Sequence, residues 1–327
     1  MQEIDAFPFH ILWHIVWDIT RRCNLRCNYC TVDKHEDVQA GNREAISCAI
    51  RRYAPEYLIL TGGEPTLVAE LPELLKKVKE DSPDSKIILN TNGLLLDAIM
   101  RLLPYLSRLA ISLDSLDESN FVNRGISAEK VVRNITTLCE SEEVKSQTVQ
   151  VSVAAVVTRE TLASIPAITQ GLKKIDSKIE IDFKPMLPYE DARSPFSMPA
   201  MKQQYFALAK DYQHVAHFYG TGHSKRLVSP FLCWGQFFKM DINPQGTELT
   251  CRNFTQANGK LQILPCPAPC DCTEYIDDIL FSRSPLELTP PARYIFDHMR
   301  KETLMKTEHF IQTYIEPAYR CQLVRYK

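Results

Sequence analysis

No stretch of eighteen apolar residues occurs in this chain, so nothing in it reads as a membrane span. The N-terminus lacks a basic patch followed by a clean apolar run and a small-residue cleavage site. The run from Phe9 to Ile19 is interrupted by His10, His14 and Asp18, which predicts a strand rather than an export signal. A strong charge of either sign is missing as well. Lys and Arg number 38 against 40 Asp and Glu, a formal net charge of -2, which argues against general nucleic-acid binding. Histidine is absent between Cys23 and His35, which counts against a catalytic zinc site at the first cysteines. The expected setting is cytoplasmic, without membrane or nucleic acid.

What the chain does have is cysteine. Eleven occur in 327 residues, three of them in 23–30 and five in 233–272. Without an export signal, that clustering points to metal ligation in a reducing compartment rather than to disulfides. The first group is Cys23-Asn24-Leu25-Arg26-Cys27-Asn28-Tyr29-Cys30, a C-x3-C-x2-C spacing after the apolar run Ile11–Ile19. A short loop after a strand brings three soft thiolates together, which suits an iron–sulfur cube. A four-iron cube held by three cysteines keeps one iron open for a substrate or cofactor. The spacing alone also fits a zinc half-site.

Apolar runs predict strands at 11–18, 57–60, 86–91, 109–113, 151–157 and 179–183. Helices are predicted at 43–53, 69–80, 94–106, 127–139 and 161–174. Strand–helix alternation of this kind implies a parallel sheet with outer helices, and ligands sit beyond the carboxyl ends of its strands. The polar candidates fall there: Gly62, Gly63, Glu64 and Pro65 after the second strand, and Asn90 and Asn92 at the third. Ser112 and Asp114 follow the fourth, and Lys184 the sixth. Each reads either as a ligand contact or as turn chemistry. Arg22 and Arg26 read as a solvated edge or as charge compensation beside a cluster. Cys48 and Cys139, inside predicted helices, read as core.

Four prolines between 185 and 200 mark an irregular connection, followed by a helix at about 200–216. His214, His217 and His223 there are a weak metal candidate. Apolar alternation at Phe238, Met240 and Ile242, with Asn243-Pro244-Gln245-Gly246 as the turn, predicts a hairpin returning at Leu249. A hairpin brings its base cysteines, Cys233 and Cys251, together. Cys266, Cys270 and Cys272 follow among prolines, and Cys321 stands alone. Helices are expected at 291–305 and 308–314.

These residues resemble the radical S-adenosylmethionine (radical SAM) enzymes, whose signature is C-x3-C-x2-C with an aromatic, here Tyr29, before the last cysteine. Gly62-Gly63-Glu64-Pro65 matches the motif that holds the SAM amino group in that family. The resemblance implies a partial (β/α)6 TIM barrel within an α/β fold. It implies a [4Fe-4S] cluster on Cys23, Cys27 and Cys30, with SAM chelating the fourth iron. It also implies reductive cleavage of SAM to a 5'-deoxyadenosyl radical that abstracts hydrogen from substrate. Strand-end residues contact SAM in the family, which makes Tyr29, Asn90, Ser112, Asp114 and Lys184 cofactor-binding candidates by position. The pattern Cys233-x12-Gly246-x4-Cys251 resembles the SPASM and twitch domains. It implies a small β-hairpin-plus-helix domain with an auxiliary [4Fe-4S] cluster on Cys233, Cys251 and two of Cys266, Cys270 and Cys272. The later spacing departs from full SPASM, which favours twitch. A structural zinc at these cysteines is the competing reading.

The expected domains are a barrel at 1–190, a connection at 191–230, the auxiliary domain at 231–275 and a helical tail at 276–327. The expected activity is oxidation of a small-molecule substrate, with the auxiliary cluster accepting an electron and a flavodoxin or ferredoxin as external donor. Epimerase, dehydratase and peptide-crosslinking activities are the alternatives within the family. About ten residues before the first strand leave no room for a peptide-recognition domain, which favours a small molecule. A non-catalytic iron–sulfur electron carrier is the alternative of another class.

Overall fold

A computed structural model describes residues 2–4, 13–30, 32, 43–186, 192, 198–211, 239–243, 246, 248–249, 254–257, 260–263, 294–295, 297–310 and 312. Six parallel strands follow one another in both sequence and space: β2 (His14–Thr20), β3 (Tyr57–Gly62), β4 (Lys86–Thr91), β5 (Arg108–Ser112), β6 (Gln150–Val157) and β7 (Glu180–Pro185). β1 (Gln2–Ile4) belongs to a second sheet. Between the six lie α1 (Arg43–Tyr53), α2 (Leu71–Asp81), α3 (Leu96–Leu102), α4 (Glu118–Arg124), α5 (Ala128–Cys139), α6 (Glu142–Lys145) and α7 (Ile165–Ile175). This alternation is that of a partial (β/α) barrel.

Alternation decides which face the helices cover. Ile15, Trp17 and Ile19 of β2, Leu58 and Leu60 of β3, and Ile87 and Leu89 of β4 are buried in one cluster. Leu109, Ile111, Val153, Ala155, Ile181 and Phe183 continue it across the sheet. Each of the larger aliphatic side chains and Phe183 stabilises the fold by about 1.5–3 kcal/mol. The opposite face carries Asp18, Asn90, Ser112, Asp182 and Lys184, brought onto one side by the strand register.

Several expectations shift. The first strand runs to Thr20, two residues past the predicted end. The helix expected over 94–106 stops at Leu102 and tightens into a single turn at Leu103–Tyr105, because Pro104 has no N–H to continue it. α4 was not foreseen, although Asp117 caps its start and Gly125, at φ 74°, ends it. Cys48 is exposed, not core: the buried stripe of α1 is Ile46, Ala49 and Ile50, which turns residue 48 outward beside Arg51. Cys139 is half-buried against the core, and burial, then Asp176 and Glu140, push its thiol up to about 11. At pH 8, Cys48 is therefore expected to react with iodoacetamide while Cys139 stays unmodified. Peptide mass spectrometry checks this, and equal labelling would contradict it.

α8 (Pro199–Asp211) is the helix expected at 200–216. The hairpin expected near 243 is present as β8 (Lys239–Ile242) and β9 (Glu248–Leu249), with Gly246 at φ 78° donating to the Asn243 carbonyl at 2.9 Å. β8 pairs parallel with β2, so this hairpin extends the main sheet. β10 (Phe254–Ala257) and β11 (Lys260–Ile263) form a second small sheet with β1. Cys233, Cys251, Cys266, Cys270, Cys272, Cys321 and the three histidines at 214, 217 and 223 lie outside the described residues.

The C-terminal segment breaks at 298–300, not after 305, and continues as α9 (Lys301–Phe310). It lies under the amino ends of the strands. Arg300 Nε donates to both oxygens of fully buried Glu56 at 2.7 Å, and Thr303 adds a bond at 3.2 Å. Tyr57 donates to the Ile295 carbonyl at 2.8 Å, and the Trp13 indole N–H donates to Thr307 at 2.8 Å. The segment is a floor for the barrel, at the end opposite the strand-end residues.

Candidate active site

The loop bearing Cys23, Cys27 and Cys30 begins where β2 ends, and three contacts fix it across the top of the sheet. The first is backbone to backbone. Gly63 N–H donates to the Thr20 carbonyl at 2.6 Å, and Glu64 N–H donates to the Arg22 carbonyl at 2.7 Å. Gly62 sits at φ 129°, a region closed to ordinary side chains. A Cβ on Gly63 would fall inside contact distance of the Arg22 carbonyl oxygen, 2.6 Å from Arg22 C and 2.7 Å from Arg21 C. The paired glycines thus let two backbones touch. The second contact joins Asn24 to the turn after β4, where the Asn92 side-chain amide donates to Asn24 Oδ1 at 2.7 Å. The third reaches α4. Asn28 N–H donates to the Asn123 carbonyl at 2.9 Å, and the Asn28 side chain donates to the Val122 carbonyl at 3.3 Å.

Glu64 pins the first two anchors together. Its Oε1 accepts from Thr66 N–H at 3.1 Å, Thr66 Oγ1 at 2.6 Å and Thr91 Oγ1 at 2.7 Å. Its Oε2 accepts from Asn92 N–H at 2.8 Å, and the residue is buried. Both oxygens are thus engaged within the fold. Pro65 opens the short helical turn that follows, where an N–H has no partner to lose.

Tyr29 reaches inward from the loop. Its hydroxyl donates to Asp114 Oδ2 at 2.6 Å and accepts from Arg124 at 2.6 Å. Asp114 Oδ1 accepts from Val156 N–H at 3.1 Å and from Arg124 at 3.3 Å. Burial, then the neighbouring Asp114, push the Tyr29 phenol far above its usual value, so it stays a donor. The sequence placed Tyr29 and Asp114 at the site. The structure shows that they bond each other, with Arg124 as the third member.

The other candidates line the open face of the sheet. Asn90 and Ser112 are half-buried at the ends of β4 and β5, and Lys184 of β7 is 3.5 Å from Asp182. Below them Arg108 crosses the interior, bonding Ser152 at 3.1 Å and pairing with Glu180 at 3.0 Å. Sequence reading missed Glu180 and Asp182. The signal was there, since charges at every second position of Glu180-Ile-Asp182-Phe-Lys184 mark a polar face on a buried strand. Arg22 and Arg26 are exposed.

Cys23, Cys27 and Cys30 are not in disulfides, the first two half-buried and Cys30 exposed. Leu25 N–H donates to Cys23 Sγ at 3.4 Å, the kind of N–H···S contact that steadies a thiolate. Among the described residues no three His, Cys, Asp or Glu side chains converge to grip one metal ion. A cube spreads its thiolates over separate irons, so three soft donors on one anchored loop fit a cluster better than a single ion.

A family model described as the radical SAM superfamily matches residues 17–161. The chain is 34% identical over 109 residues to a probable GTP 3',8-cyclase of Archaeoglobus fulgidus, covering 32% of this chain and 36% of that one. It is 28% identical over 170 residues to the GTP 3',8-cyclase of Peptoclostridium acidaminophilum, covering 50% of each. The chain thus spans half or less of these relatives' length. Among solved structures, anSMEcpe with bound AdoMet superposes with a TM-score of 0.57 at 21% identity, covering 73% of this chain and 74% of that one. Streptococcus suis SuiB bound to the precursor peptide SuiA gives 0.56 at 16% identity, covering 73% and 59%. These two show likeness of fold. The anchored three-cysteine loop and the glycine pair beneath it both lie within residues 17–161, the stretch that matches the radical SAM superfamily, so this part of the chain is a radical SAM domain.

Proposed function

We propose that this chain is an oxidoreductase acting on a small-molecule substrate, with Cys23, Cys27 and Cys30 holding an iron–sulfur cube to which SAM binds. Bound there, cube and SAM supply one-electron chemistry: reductive cleavage of SAM and removal of a hydrogen atom from an unactivated carbon. The residues of the chain orient and shield. Thr20, Arg22, Asn24 and Asn28 fix the loop at three points, which sets where the thiolates stand relative to the open face of the sheet. Gly62, Gly63 and Glu64 meet the SAM amino group, with backbone carbonyls and Glu64 Oε2, which accepts one bond within the fold, as the acceptors. Asn90, Ser112 and Lys184 meet SAM or substrate from the sheet. Asp114 acts through Tyr29 and Arg124. Cys233, Cys251 and two of Cys266, Cys270 and Cys272 would hold a second cube, which would supply an electron acceptor on the product side, and a flavodoxin or ferredoxin would be the external donor. The sequence relatives are GTP 3',8-cyclases by name, and GTP is a small molecule, which supports one here.

The observation that carries this reading is the triple anchoring of a three-thiol loop at the carboxyl ends of parallel strands. Anaerobic iron and sulfide analysis tests it. About eight irons per chain are expected, falling to about four in a Cys23/Cys27/Cys30→Ala variant. About four falling to none would remove the second cube and the electron-accepting role given to it. Equal iron in both proteins would sink the reading of the first loop. Formation of 5'-deoxyadenosine from SAM should vanish in the variant.

A further inference from the structure

α4 is built inside out. Its buried residues are Asn120, Asn123 and Arg124, while Phe121 and Val122 are 59% and 65% exposed. A helix that buries amide and guanidinium groups needs partners for them, because a buried donor left unpaired costs about 1–3 kcal/mol. Asn120 is satisfied, accepting from Asp114 N–H at 2.9 Å and donating to the Ile126 carbonyl at 2.9 Å. Its two neighbours on that face are not. Asn123 Nδ2 and Arg124 Nε are buried with no hydrogen-bond partner.

Both residues lie against the cysteine loop. The Asn123 carbonyl accepts from Asn28 N–H at 2.9 Å, and Arg124 donates to the Tyr29 hydroxyl at 2.6 Å; Asn28 and Tyr29 are the two residues between Cys27 and Cys30. The Asp114 carboxylate already accepts from Tyr29, Val156 and Arg124. The Arg124 guanidinium pairs with the buried Asp114 carboxylate at 3.3 Å and keeps its charge, as arginine does in proteins. A fixed cation and two unpaired N–H donors thus belong to the helix that holds the segment between Cys27 and Cys30.

We propose that Asn123 and Arg124 are positioning residues that donate toward the sulfur side of the cluster loop and raise the reduction potential of the cube held there, with Asp114 offsetting part of the Arg124 charge. This rests on the assignment of the cube to Cys23, Cys27 and Cys30. A reduced cube carries one more negative charge, so a nearby cation and N–H donors favour it, whereas a nearby carboxylate opposes it. The two partners of one ion pair therefore act in opposite directions.

The test uses the full chain loaded anaerobically with iron and sulfide. Potentials are followed through the EPR signal that changes on adding SAM, which separates the open-iron cube from any other. Arg124→Met is expected to move the midpoint to a more negative value, and Asn123→Leu to move it the same way by less. Asp114→Asn, nearly isosteric, is expected to move it to a more positive value. Arg124→Lys should recover most of the Arg124→Met shift. Damage to packing would not give opposite signs from one pair. Unchanged midpoints, or Arg124→Met and Asp114→Asn moving together, would overturn the proposal while leaving the cube assignment standing. Loss of iron from both variants would also overturn it, by making the pair a determinant of folding only. An unmodified chain without a SAM-responsive signal would instead strike the assignment of the cube.

Discussion

Gly63→Ala is expected to cost the protein the cluster proposed for its three-cysteine loop while sparing most of its fold. The added methyl would meet the Arg22 carbonyl inside contact distance and lie 2.6 Å from Arg22 C and 2.7 Å from Arg21 C. All three atoms are backbone, so no side-chain rotation relieves the overlap. Either β3 or the loop must retreat, and β3 is locked between β2 and β4. The loop moves, and the bonds from Gly63 to Thr20 and from Glu64 to Arg22 go with it. The loss is on the order of 3 kcal/mol, the range for forced overpacking. Iron retention after desalting should fall to near that of the three-cysteine variant. Gly125→Ala is the control. Its Cβ meets nothing within 4 Å, but φ is 74°, so a cost of about 1 kcal/mol and no loss of iron are expected. Equal iron in Gly63→Ala and the unmodified chain would refute the close-approach argument.

Glu64→Ala should be the most destabilising change near the site. The carboxylate satisfies Thr66 N–H, Asn92 N–H and two threonine hydroxyls in a buried environment. Removing it leaves two backbone donors stranded, a loss on the order of 4 kcal/mol when the charge-assisted bonds are included. Glu64→Gln should lose roughly half as much, because its amide keeps one acceptor and turns a donor toward other donors. Urea unfolding of the iron-free chains gives both numbers, and a Glu64→Ala loss below about 1 kcal/mol would mean that solvent or a rearranged turn replaces the carboxylate. The same variant should weaken the loop indirectly, since Asn92 holds Asn24.

The strand–helix rhythm was legible because buried parallel strands are apolar runs of fixed length, and Lys86–Thr91 and Arg43–Tyr53 were predicted to the residue. The site was legible as a set of residue types. Its wiring was not. Glu64 stands out in the sequence, but nothing there says that its partners are Thr91 and Asn92, 27 and 28 positions away. α4 escaped because its polar residues face inward and its apolar ones outward, which defeats any reading based on a buried apolar stripe. Cys48 was misread for the simpler reason that cysteine is so often buried, while the stripe at 46, 49 and 50 places it outside.

The floor of the barrel has a consequence for how the molecule is made. Trp13 and Thr307 are 294 residues apart, so at roughly 5–20 residues per second the indole waits about 15–60 s for its partner during synthesis. The cysteine loop needs nothing so distant, since its anchors at Gly63, Asn92 and Asn123 all emerge within the first part of the chain. The order of translation thus completes the loop's anchors first and delivers the bottom seal last.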